Sequence, residues 1–133
     1  MGEPAGEDES IQRLKRARAF CELKAGNPEA GAEQVAEVVL ANPLDGQALL
    51  LFADHLLDQN QTEHAIMRLE QAAAAEGFEA PARRRLGEVL AGRGDYARAV
   101  SELRKALEIE PADQTLRDYL DSISRLAGLG ERR

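Results

Sequence analysis

Residues 80–113 read APARRRLGEVLAGRGDYARAVSELRKALEIEPAD, and the fold follows from this stretch. From 80 to 92 the apolar side chains recur at three- and four-residue spacing, as one face of a helix requires. A polar turn, Gly92-Arg93-Gly94-Asp95, interrupts the pattern, which resumes from Tyr96 to Ile109. Pro111 marks the end, because proline cannot continue the helical hydrogen-bond ladder. The stretch spells helix–turn–helix.

Sliding the chain along itself until Leu69 falls on Leu103 brings the same pattern into line. Val35, Leu69 and Leu103 then coincide, as do Val38, Ala72 and Ala106, and Pro43, Gly77 and Pro111. The turn recurs as Gly26, Asn60 and Gly94, with Gly31, Ala65 and Ala99 a little further on. In the first helices Phe52, Ala53 and Leu56 fall on Leu86, Gly87 and Leu90. Two separate sets of positions share one period, so each unit is a helical hairpin that buries its apolar face only against neighbours. Composition agrees: 23 Ala and 18 Leu stand against 11 Val, Ile and Thr, a helix-favouring balance. With no Trp, two Tyr and three Phe, the core must be packed with small aliphatic side chains. Ala53, Gly87, Ala65 and Ala99 are predicted to sit where helices approach closely, so that bulk at Ala99 overpacks the contact.

These units resemble the tetratricopeptide repeat. Residues 80–113 match best, with Leu86-Gly87, Gly94-Asp95-Tyr96, Ala99, Leu103, Ala106 and Pro111 at the family's marker positions. The resemblance implies an all-α fold, a right-handed αα-superhelix of about three helix-turn-helix repeats plus a C-terminal capping helix, about seven helices in total. The expected division is an acidic, flexible leader 1–10, a degenerate repeat 11–45, repeats 46–79 and 80–113, a capping helix 114–127 and a tail 128–133. In the first unit strict spacing puts Arg18 and Glu22 at apolar positions, so one inserted residue is expected, giving a seam of Leu14, Ala17 and Cys21. In the capping helix Leu116, Tyr119, Leu120, Ile123 and Leu126 are expected on one side.

Charge and residue types narrow the function. A net charge of −7 argues against nucleic-acid binding, which needs a basic surface. The longest apolar run, Ala48 to Ala53, is far short of a membrane span, and the acidic start is no signal peptide. The expected location is cytoplasmic. Fourteen Arg against three Lys, with so much Ala, point to a GC-rich bacterial genome. His55 and His64 fall on different helices with no third ligand at a metal-binding spacing, so neither metal nor cofactor is expected. Cys21 reads as a buried structural thiol, and Gly92-Arg93-Gly94 lacks the lysine of a phosphate loop. No catalytic constellation emerges, so the chain is expected not to be an enzyme.

Binding remains, and the resemblance places it. In such arrays the first helix of each unit lines a concave groove, here 11–24, 46–58 and 80–92. The middle helix has more leucine than one packing face needs. If Leu49, Phe52, Ala53 and Leu56 face the core, then Leu50, Leu51 and Leu57 are surplus, either a docking strip or extra core. Residues 11–25 and Arg83-Arg84-Arg85 are basic within an acidic chain, either ligand-facing or merely solvated. The carboxylate clamp of chaperone-binding relatives is not expected, since Leu51 and Pro81 stand at two of its polar positions. The candidate peptide-binding set is Lys15, Arg16, Leu50, Leu51, Asp54, Leu57, Arg84, Arg85 and Glu88. It would receive a peptide or helix of another protein, acidic with apolar anchors. The alternatives are a small secretion or assembly chaperone that shields a partner's apolar segment, or a purely structural, self-associating domain excised from a longer protein, with a homodimer as one expected form. Leu50→Asp with Arg84→Glu is expected to abolish partner binding and leave folding intact.

Overall fold

A computed structural model describes residues 9–24 and 28–131 of the chain. They form seven α-helices: α1 (Glu9–Lys24), α2 (Pro28–Ala41), α3 (Gly46–Asp58), α4 (Thr62–Ala73), α5 (Glu79–Gly92), α6 (Tyr96–Ile109) and α7 (Gln114–Glu131). Residues 1–8 of the expected leader, the turn around Gly26, and tail residues 132–133 lie outside the described residues. Each helix packs on the next in chain order, and α1 also reaches α3.

The hairpin turns are built alike. Asn60 and Gly94 stand one period apart and both adopt left-handed backbone, φ 60° and 84°. In each turn the N–H just after that residue bonds back to the closing helix, Gln61 to the Leu56 carbonyl at 2.8 Å and Asp95 to that of Leu90 at 2.9 Å. That is the Schellman closure of a helix, which glycine enters without a Cβ penalty and asparagine tolerates. Aspartates cap α3, α6 and α7. Asp45, Asp95 and Asp113 accept hydrogen bonds from the N–H groups of Ala48, Arg98 and Leu116 at 3.1, 3.3 and 3.0 Å.

The core runs from α3 to α7 through Leu56, Leu69, Leu86, Leu90, Leu103, Leu116 and Ile123. Ala53, Ala65 and Ala99 are fully buried, and a Cβ added to Gly87 would lie 2.5 Å from the Leu103 Cγ. The small residues therefore mark the close approaches, as the period predicts.

Two expectations are corrected. On α1 the buried residues among those described are Gln12 and Ala19, while Leu14 is 71% exposed and Ala17 and Cys21 are also exposed. Ala19 stands one period before Ala53, so the register holds without an insertion. A close-approach position takes a small residue whatever the rest of the face carries, and apolarity alone misled the assignment. At the other end α7 runs to Glu131, not 127, and Leu126 is 43% exposed. With 18 residues against 14 in α6, its last turn outruns the helix beneath it.

Candidate functional site

The first helices α1, α3 and α5 form one wall, and the repeat register puts equivalent side chains in rows along it. Arg13, Gln47 and Pro81 make one row, Ala17, Leu51 and Arg85 a second, and Phe20, Asp54 and Glu88 a third. Between α1 and α3 lies a hollow of about 370 Å³, lined by Arg13, Arg16, Ala17, Phe20, Gln47, Leu51 and Asp54. Ala17, Phe20 and Leu51 line it together with two arginines, a glutamine and an aspartate. A second hollow of about 380 Å³ lies between α5 and the start of α7, lined by Ala80, Pro81, Arg84, Arg85, Glu88, Glu110 and Leu116.

The basic residues of this wall are largely engaged within the chain. Arg85 pairs with Asp54 across α5 and α3, and lies 3.5 Å from Glu88. Arg84 lies 3.4 Å from Asp113 and 3.7 Å from Glu88. Arg16 bonds Asp45, which also accepts from the Gln12 amide at 3.2 Å. Arg16 with Asp45 and Arg84 with Asp113 are the same contact two periods apart. In each, a first-helix arginine reaches the aspartate that caps the next first helix in the array. In the middle unit Leu50 takes the arginine's place and packs against the core. Arg83 turns away, with Glu79 and Glu102 each at 2.8 Å.

The candidate residues therefore divide. Arg16, Leu51 and Asp54 line the α1–α3 hollow, and Arg84, Arg85 and Glu88 the α5–α7 hollow. Leu50 and Leu57 are half-buried and pack against the core, Leu50 against both of its clusters. Lys15 lines a different depression, with Ile11, Leu14 and Cys21, and is not brought to the others. Sequence reasoning missed Arg13, Ala17, Phe20 and Gln47, although projecting Leu51 and Asp54 back by one period reaches Ala17 and Phe20. It also missed the Gln12–Asp45 knot, for which Asp45 ahead of a helix just after Pro43 was the available signal.

Burial raises the Asp54 carboxyl above the usual carboxylate value; Arg85 pulls it back and Asp58 adds to the rise. Burial, with the negative charge of Glu88, likewise raises the Tyr119 phenol. Among the described residues no group of three or more His, Cys, Asp or Glu could hold a metal ion. No described helix is long and apolar enough to cross a membrane.

A stack of helical hairpins with small residues at each crossing and a wall built from the first helices defines a solenoid repeat protein. The chain belongs to the tetratricopeptide repeat family, whose model matches residues 14–66 and 50–114. It is accordingly an all-α, right-handed superhelix of helix-turn-helix repeats closed by α7. Among curated proteins none matches the chain in sequence. Solved structures do. The Yersinia enterocolitica type III secretion chaperone SycD, crystallised with a peptide of the translocator YopD, is 18% identical, with 90% of this chain and 91% of that one covered and a TM-score of 0.73. The first tetratricopeptide domain of human RPAP3 is 16% identical, with 91% and 95% covered and a TM-score of 0.77. The Thermobaculum terrenum O-GlcNAc transferase is 23% identical, with 92% of this chain but 23% of that one covered and a TM-score of 0.74. At these identities what is shared is the fold.

Proposed function

We propose that the chain is a non-catalytic protein-interaction module that receives a peptide or helix of a partner protein along the wall of α1, α3 and α5. The observation that carries this reading is the α1–α3 hollow, where apolar Ala17, Phe20 and Leu51 stand among Arg13, Arg16, Gln47 and Asp54. A partner side chain of aliphatic or aromatic type fits against those three apolar residues. Arg16, Arg84 and Arg85 already pair with aspartates, so an acidic ligand must compete for them. Recognition then rests first on apolar contact at Leu51, with charge setting orientation. Neither a cofactor nor a metal takes part, and the module works in the cytoplasm. A narrower reading, a secretion or assembly chaperone that shields an apolar segment, draws support from the likeness to SycD over nearly the whole of both chains.

The test is a pull-down from the source cells with wild type, Leu51→Asp and a control on α4, Met67→Asp. Leu51 is half-exposed and outside the core clusters, so it replaces Leu50, whose substitution would damage packing. Met67 is 53% exposed. A partner retained by the control and lost by Leu51→Asp supports the groove. Equal capture by all three would move binding to another surface.

A further inference from the structure

α1 carries a second face, away from the side that buries Gln12 and Ala19. There Ile11 is 47% and Leu14 71% exposed, and both line an apolar depression of about 440 Å³ with Lys15, Ala17, Arg18 and Cys21. At helical pitch, Ile11, Leu14, Arg18 and Cys21 fall on one stripe of this helix. We propose that a second copy of this chain covers the stripe, α1 packing antiparallel on its twin about a two-fold axis near residue 16.

Three observations select that occupant. At the far end of the solenoid α7 presents a polar stripe: Arg117, Asp118, Asp121 and Arg125 are all exposed. Head-to-tail stacking would therefore press an apolar end on a charged one, whereas the α1 stripe finds its match in another α1 stripe, giving a closed isologous pair. Charge then sets the direction. A parallel pair would set Lys15 and Arg18 each directly against its twin, like against like, whereas antiparallel packing offsets both pairs along the axis, Arg18 more than Lys15. The helix dipoles favour the same arrangement. Finally, the stripe is self-complementary in that register. Ile11 and Cys21 lie equally far from residue 16, as do Leu14 and Arg18. Each Ile11 thus meets the other copy's Cys21, and each Leu14 the aliphatic stem of the other copy's Arg18.

Sedimentation equilibrium of the whole reduced chain across a range of concentrations tests this. Wild type is expected to reach twice 14.5 kDa. Leu14→Asp should weaken self-association by more than about tenfold, since each copy would bury a carboxylate, while helical circular dichroism stays unchanged. Orientation is read by oxidation. Ile11→Cys should cross-link to Cys21 of the other copy and lose the cross-link when Cys21→Ser is added. Equivalent residues 11 lie about 15 Å apart in this register, too far for a disulfide. A monomer at every concentration, a dimer untouched by Leu14→Asp, or a cross-link that survives Cys21→Ser would each overturn the proposal.

Discussion

Asp45 does three things with one carboxylate. It caps α3 through the Ala48 N–H, takes the Gln12 amide at 3.2 Å, and pairs with Arg16, all at 8% exposure. Removing it costs a helix cap, leaves the Arg16 guanidinium without its partner and leaves the buried Gln12 amide with the Val38 carbonyl alone. Asp45→Ala should lower unfolding free energy by about 2–4 kcal/mol in denaturant titration, against about 1 kcal/mol for Asp95→Ala, which only caps. Equal losses at both positions would mean that Arg16 and Gln12 find other partners. Asp54 predicts a pH dependence of unusual sign. Its carboxyl holds a proton to higher pH in the folded chain than in the unfolded one. The ionised group therefore opposes folding above its folded pKa, and that penalty fades as pH falls through this value and is gone below the unfolded pKa. Asp54→Asn should raise the melting temperature at neutral pH and do less in acid, by a small amount because about half the side chain is solvated.

At the scale of elements, the α5–α6 crossing shows what a small residue is for. Gly87 lies against Leu103, itself fully buried. Gly87→Ala gains about 1 kcal/mol of helix propensity but overpacks at a cost of about 1–3 kcal/mol, so a net loss of stability is expected. In a Leu103→Ala background the space opens, and the same substitution should become stabilising; a double-mutant cycle reads the change of sign. This crossing was legible in the sequence because the period displays the small residue twice, at Ala53 and Gly87. The first helix was legible only in part. Ala19 kept the period, but its neighbours at the apolar positions were Arg18 and Glu22, and hydrophobic pattern outweighed register. Burial of Gln12 was invisible for a different reason. Its partners, the Val38 carbonyl at 2.9 Å and Asp45, are 26 and 33 residues away. The groove was legible as an element and not as a list of residues, since no pattern tells an arginine that meets a ligand from one that meets the aspartate one repeat along.

Over the whole molecule, the cohesion of such an array is a sum of hairpins and the interfaces between successive hairpins. The main core cluster runs through α3 to α7, whereas among the described residues α1 and α2 contribute fewer fully buried side chains, Ala19, Val35 and Val38. The first hairpin is instead joined to α3 by a polar knot of Gln12, Arg16 and Asp45, with the Val38 carbonyl tying α1 to α2. A few polar contacts at this junction stabilise less than a core of buried leucines does, so the first hairpin should open before the rest. Hydrogen exchange under native conditions should show amides of α1 and α2 exchanging faster than those of α5 and α6. Asp45→Ala sharpens the test, because it cuts the junction and leaves the large core alone. It should accelerate exchange in α1 and α2 and leave protection in α5 and α6 nearly unchanged. The groove wall would then be built on a mobile first strut and a firm second and third, with Leu51 on the firm side of the α1–α3 hollow and Phe20 on the mobile side. Uniform protection along the chain, falling everywhere by the same amount in Asp45→Ala, would mean instead that the array unfolds as one unit and that the knot is as strong a link as the core.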